Sequence, residues 1–211
     1  MRLLGARGRA ELATPDPANR LPGVRSITWT LNPRGFGGSG GRATIGDYCR
    51  SAIDGYDALA SRYPDAHFMV YGKSIGGTAA LYLGAQRSVD ALVVKNAIDV
   101  RAVTARRLRR WFPGALVNSI CNTLPPEMHA AIWATQCRCP ALFVVSANDR
   151  LAHPQSQEAI AACYGGAART LTVAGNHDDH KLDANDEVPY GSAIRELWEG
   201  AEVGIPDTER N

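Results

Sequence analysis

No run of about 18 apolar residues occurs in this 211-residue chain, so no segment is suited to cross a bilayer as a helix. A strong excess of either charge is also missing. Lys and Arg number 23 against 21 Asp and Glu, and the formal net charge of +2 argues neither for nor against a polyanion; no nucleic-acid partner is expected. Cysteine is sparse and unpatterned: Cys49, Cys121, Cys137, Cys139 and Cys163 make an odd set without regular spacing, as expected for reduced thiols in a reducing compartment. Cys137 and Cys139 have neither a second pair nor a nearby histidine, which argues against a zinc site, and no metal is expected. Met1 to Ala13 has no apolar centre and carries three arginines, so it does not read as a secretory leader, and the expected location is cytoplasmic. There is no internal repeat, low-complexity tract or interdomain linker, and one domain over 1–211 is expected.

Short apolar runs alternate with amphipathic stretches, which reads as βα units around a mainly parallel sheet with helices on both faces. The expected strands are Val24 to Leu31, His67 to Tyr71, Ala91 to Lys95, Ala141 to Val145 and Arg169 to Val173. Tyr48, Ala52, Tyr56 and Leu59 recur at helical spacing within Thr44 to Arg62, and helices are also expected over Ile75 to Gln86, Pro154 to Cys163 and Ser192 to Ala201. Residues 99–140 exceed what a crossover helix needs, so a helical, cap-like insertion is expected there, with Trp111, Phe112 and Trp133 as candidate walls of a substrate pocket. The run Arg101 to Arg110 reads first as a solvated helix face and second as a site for an anion.

Gly72-Lys73-Ser74-Ile75-Gly76 matches G-x-S-x-G between an expected strand and an expected helix. A serine on so sharp a turn has a strained backbone and close neighbours, and glycines two residues to either side remove the β-carbons that would clash. At the start of a helix, the Ile75 amide can face a developing oxyanion. A phosphate loop would need glycine where His67 stands.

A serine nucleophile of this kind takes an acid and then a histidine from later in the chain, each after a strand. Ala141 to Asp149 is an apolar strand running into an acidic turn, and Arg169 to His177 is a strand running into a glycine turn and a histidine. The expected roles are Ser74 as nucleophile, His177 as base and Asp149 as the acid that orients it. Gly175-Asn176-His177-Asp178 is also similar to a metallophosphoesterase motif, but Asp65-Ala66-His67 is not followed by the Gly-Asp-x-x-Asp block such enzymes need. Gly35 to Gly40 spells G-x-G-x-x-G, yet the next strand lacks the acidic residue of a dinucleotide site.

Asn32-Pro-Arg-Gly-Phe-Gly-Gly-Ser-Gly40, with the Ser74 turn, Asn148-Asp149 and Gly175 to Asp178, resembles the BEM46-like (α/β-hydrolase domain 13-like) serine hydrolases. The resemblance covers about Val24 to Asp179. It implies an α/β-hydrolase fold trimmed at one edge and hydrolysis of a small acyl ester, thioester or amide without a cofactor. Such families carry a strand ending in His-Gly before the arginine-glycine loop, and its turn donates the second amide of the oxyanion hole. Met1 to Arg20 shows no apolar strand, so the early N-terminal strands are expected to be missing and the chain to be shortened. Loss of one oxyanion donor costs about 100- to 1,000-fold in rate, so a catalytically impaired module is the second reading.

Overall fold

The computed structural model describes residues 1–179 and 181–203. Six strands form one sheet: β1 (Arg2–Leu3), β2 (Thr30–Leu31), β3 (Met69–Lys73), β4 (Ala91–Lys95), β5 (Ala141–Ser146) and β6 (Ala168–Val173). Their order is β2-β1-β3-β4-β5-β6, and every neighbouring pair is parallel. The helices are α1 (Ile45–Arg62), α2 (Ile75–Gln86), α3 (Val100–Leu108), α4 (Gly114–Asn122), α5 (Ala130–Ala134), α6 (Pro154–Ala162) and α7 (Ala184–Val203).

A parallel sheet covered on both faces wants strands that are apolar on both sides. Along β4, Leu92 and Val94 enter one core while Val93 enters the other; along β5, Ala141 and Phe143 alternate with Leu142 and Val144 in the same way. The first core is closed by Tyr48, Ala52 and Tyr56 of α1, by Ala79, Leu81 and Leu83 of α2, and by Ile160 of α6. The second is closed by Tyr190, Ile194 and Trp198 of α7. Thr44 starts α1 by accepting the Asp47 amide at 3.1 Å on its hydroxyl, as an N-cap threonine should. Helix α2 is buried around most of its circumference, and its small residues let it approach the sheet closely: a β-carbon on Gly77 would stand 3.2 Å from Ala97.

The expectations for the first strands need correction. The expected absence of an early strand is overturned by Arg2–Leu3, which pairs Arg2 with Thr30 and Tyr71, and Leu3 with Leu31 and Gly72. Two residues, one of them an arginine, followed by Leu4-Gly5 carry too little periodicity to be read as a strand; only the pairing on both sides defines it. Conversely, Val24 to Leu31 pairs only at Thr30 and Leu31, because β1 offers partners for no more than that. The stretch 99–140 is also not uniform. Met128, Ala130 and Ala134 belong to the first core, whereas α3 buries no residue.

Candidate active site

Three loops at the C-terminal ends of β3, β5 and β6 build the site. The first is the turn from β3 into α2. Ser74 sits there at φ 58°, ψ −122°, in the sparsely populated backbone region expected of such a turn. The glycines are required by contact: a β-carbon on Gly72 would stand 2.2 Å from the Gly76 carbonyl oxygen, and one on Gly76 would stand 2.2 Å from that of Leu3. Ile75 opens α2, where backbone amides lack helical partners and the helix dipole favours negative charge.

The second loop follows β5. Asp149 is 2% exposed, and its carboxylate is nonetheless well solvated by the protein. Oδ1 accepts the amides of Leu151 (2.9 Å) and Ala152 (2.8 Å), and Oδ2 accepts the Gln157 side-chain amide at 3.0 Å. The third loop follows β6 and carries His177, 7% exposed. Its Nδ1 lies 2.6 Å from Asp149 Oδ2 and its Nε2 lies 2.8 Å from Ser74 Oγ. The three residues therefore form one hydrogen-bonded chain across 103 positions of sequence.

The loop that presents His177 is held from several sides. Gly175 has φ 102°, and a β-carbon there would stand 2.6 Å from Asp179 Oδ2. That carboxylate accepts the Asn176 amide at 2.6 Å, and the Asp179 carbonyl accepts from Lys73 Nζ at 3.1 Å. Burial lowers the pKa of Lys73, opposed by Asp178, Asp179 and Asp149. Asp179 thus closes the turn around His177; His180 lies outside the described residues.

Two supporting residues escaped the sequence reading. Asn96, fully buried at the end of β4 with φ 50°, donates to Ser146 Oγ at 2.9 Å and to the His177 carbonyl at 3.4 Å. Its Oδ1 accepts the Ser146 amide at 3.0 Å, so one side chain ties β4, β5 and the histidine loop together. An asparagine directly after an apolar strand was the available signal, since asparagine tolerates the left-handed region. Gln157 gave no signal at all, standing mid-helix on α6 with its side chain turned inward.

An early turn lies over Ser74. Gly8 donates to the Gly5 carbonyl at 2.8 Å, closing a turn directly after β1. A β-carbon on Gly5 would stand 3.4 Å from Ser74 Cβ and 4.0 Å from Ser74 Oγ. The arginine-glycine loop lies behind this turn. Phe36 packs edge-on against Tyr48 at 5.3 Å, and the Tyr48 hydroxyl donates to the Leu4 carbonyl. The Gly35 amide donates to the Gly40 carbonyl at 3.0 Å and the Gly38 amide to Glu11 at 3.2 Å, so this loop spends its polar groups on the fold.

The expected pocket walls do not assemble. Trp111 is 80% exposed and Phe112 46% exposed at the end of α3. Trp133 instead packs edge-on against Tyr82 at 4.9 Å and donates its indole N–H to the Pro126 carbonyl at 3.1 Å. The physical reason is that α5 folds down onto α2, whereas α3 buries no residue and meets the first core only at Val100.

No family model matches the chain. Among solved structures, DcsB in complex with its substrate analogue is similar at a TM-score of 0.70 and 17% identity, over 95% of this chain and 89% of that one. Est1E from Butyrivibrio proteoclasticus, with ferulic acid bound, is similar at 0.60 and 16% identity, over 82% of this chain and 76% of that one. The esterase Pf2001 of Pyrococcus furiosus is similar at 0.61 and 16% identity, over 81% of this chain and 69% of that one. Identities this low carry architecture and nothing finer, and with the six-stranded parallel sheet they give the chain the α/β-hydrolase fold.

Proposed function

We propose that this chain hydrolyses carboxylic esters through an acyl-enzyme on Ser74, and that within the fold it belongs to the BEM46-like branch. The observation that carries the reading is the chain Ser74 Oγ, His177 Nε2, His177 Nδ1, Asp149 Oδ2, with links of 2.8 and 2.6 Å. In that arrangement Nδ1–H donates to Asp149, which leaves Nε2 to accept the Ser74 proton as Oγ attacks the acyl carbon. The imidazolium then protonates the departing alkoxide. Water repeats the sequence on the acyl-enzyme and regenerates the serine.

Charge that develops on the acyl oxygen is received by the Ile75 amide at the start of α2, and the turn over Gly5 and Ala6 is the source of the second donor. The closeness of Gly5 to Ser74 supports that assignment. Asp149 is held in place by donors that neither leave nor need to reorganise, two of them backbone amides. Esterases among the structural neighbours support an ester over other acyl substrates.

The test is labelling with a fluorophosphonate probe, alongside turnover of p-nitrophenyl butyrate. Wild type is expected to be labelled and Ser74→Ala to be silent in both assays. A folded wild type that takes no label, or label that persists in Ser74→Ala, overturns the reading.

A further inference from the structure

The segment joining β4 to α4 has a charge pattern that catalysis at Ser74 does not use. Between Asp99 and Glu127 the chain carries five arginines, Arg101, Arg106, Arg107, Arg109 and Arg110, and no acidic residue. Four arginines elsewhere, Arg20, Arg50, Arg87 and Arg169, are ion-paired. Among the described residues none of the five is. Arg101 donates to the Asn122 side chain at 2.7 Å and Arg106 to the Leu151 carbonyl at 2.6 Å. Cations in the last turn of α3 favour its dipole, which accounts for Arg106 and Arg107. It does not account for Arg109 and Arg110, beyond the helix.

The same tip exposes apolar surface. Trp111 is 80% exposed, and Phe112 and Leu116 are each 46% exposed. A large aromatic held in water beside unpaired guanidinium groups is an arrangement that soluble surfaces avoid and that bilayer interfaces reward. Beneath the tip, Arg101, Arg106, Arg109, Asn118 and His129 line a cleft of about 590 Å³, with Asp99 the one acid on its wall. The Asp99 carboxylate already accepts the Ala102 amide at 2.9 Å as the cap of α3.

We propose that the tip between α3 and α4 docks on an anionic phospholipid surface. Trp111, Phe112 and Leu116 enter the boundary between headgroups and acyl chains, while Arg107, Arg109 and Arg110 face lipid phosphates. The cleft lined by Arg101, Arg106 and Arg109 takes one of those phosphates, since a guanidinium fork matches its oxygens. An aliphatic Leu116 has no partner on a nucleic acid, whereas a bilayer boundary accepts all three apolar side chains. The inference does not depend on chemistry at Ser74.

The test uses the whole chain as Ser74→Ala, sedimented with phosphatidylcholine vesicles with and without phosphatidylglycerol. Binding is expected only where phosphatidylglycerol is present, and it weakens as salt is raised. Arg109→Gln with Arg110→Gln is expected to weaken it by about fivefold per arginine. Trp111→Ala with Phe112→Ala is expected to weaken it by tenfold or more; melting curves check that both variants fold. A folded protein that ignores phosphatidylglycerol, or variants that bind as wild type does, overturn the proposal. So does tighter binding to a single-stranded RNA than to the vesicles. Displacement by inorganic phosphate at constant ionic strength also overturns it, since the cleft alone would then be the site.

Discussion

Gly76 lies directly against the backbone of Leu3: a β-carbon on Gly76 would stand 2.2 Å from the Leu3 carbonyl oxygen and 2.6 Å from that of Leu4. Helix α2 therefore begins in contact with the end of β1, and the serine turn and the early turn at Gly5 are positioned by one another. Gly76→Ala must push backbone against backbone. It is expected to cost about 1–3 kcal/mol and to abolish labelling of Ser74, because the turn and its neighbour separate together. Urea unfolding read beside probe labelling checks both effects. Full labelling in a destabilised variant would show that the contact serves stability alone.

Asn96 offers a way to separate backbone from side chain. Asn96→Gly keeps the positive φ but deletes the amide that joins Ser146 to the His177 loop; Asn96→Ala also strains the backbone. Both variants leave the buried Ser146 amide without its partner, an expected cost of about 1–3 kcal/mol. Asn96→Ala is expected to be the less stable by a further 1–2 kcal/mol or so. Equilibrium denaturation of the pair measures the difference, and equal midpoints would remove the left-handed conformation from the account.

Gln157 donates to the Asp149 carboxylate, and its effect on labelling of Ser74 is expected to pass through that contact. Gln157→Leu removes one donor from the carboxylate, and with it a side-chain oxygen that has no partner among the described residues. Its stability is therefore expected to stay near wild type, while the rate of fluorophosphonate labelling falls about tenfold, the scale of one hydrogen bond to a charged group. Gln157→Glu sets a second carboxylate against Asp149 and is expected to lose more. A Gln157→Leu protein with wild-type labelling would make the contact purely structural.

The thiols supply a pH-dependent readout. Burial pushes Cys49 and Cys137 from the ordinary value of 9.0 up to about 12. The thiolate is the reactive form, so native protein at pH 8 is expected to leave both residues unmodified by iodoacetamide, while all five cysteines react in urea. The folded state holds these protons more tightly than the unfolded chain. Their contribution to stability is therefore complete below pH 9 and declines as pH rises toward 12. Peptide mapping after brief alkylation checks the first outcome, and urea midpoints across pH 8 to 11 check the second. A midpoint that rises over that range would contradict it.

Much of this molecule can be read from local pattern. Strands such as Ala91–Lys95 and Ala141–Ser146 are apolar on both faces because both faces are covered, and that condition shows directly as an unbroken apolar run. Ile75–Gln86 was legible at both ends, since the serine turn marks its start and its residues are small and apolar throughout. Other boundaries were not local. Helix α7 begins at Ala184, although Pro189 and Gly191 within it argue for a later start; Tyr190 and Ile194, buried against the sheet, override that preference.

By itself the sequence determined the βα alternation, the glycine spacing around Ser74, and the order of serine, acid and histidine, because each depends on residues close together in the chain. Tertiary structure alone decided the rest. Arg2–Leu3 is a strand only because β2 and β3 pair with it, and Gly5 reaches Ser74 only because β1 is inserted between them. Asn96 and Gln157 became parts of the site by folding, since a buried amide acquires its role from partners 50 and 8 residues away. A periodic pattern records what a residue's own strand or helix needs; a hydrogen bond between loops leaves no period behind.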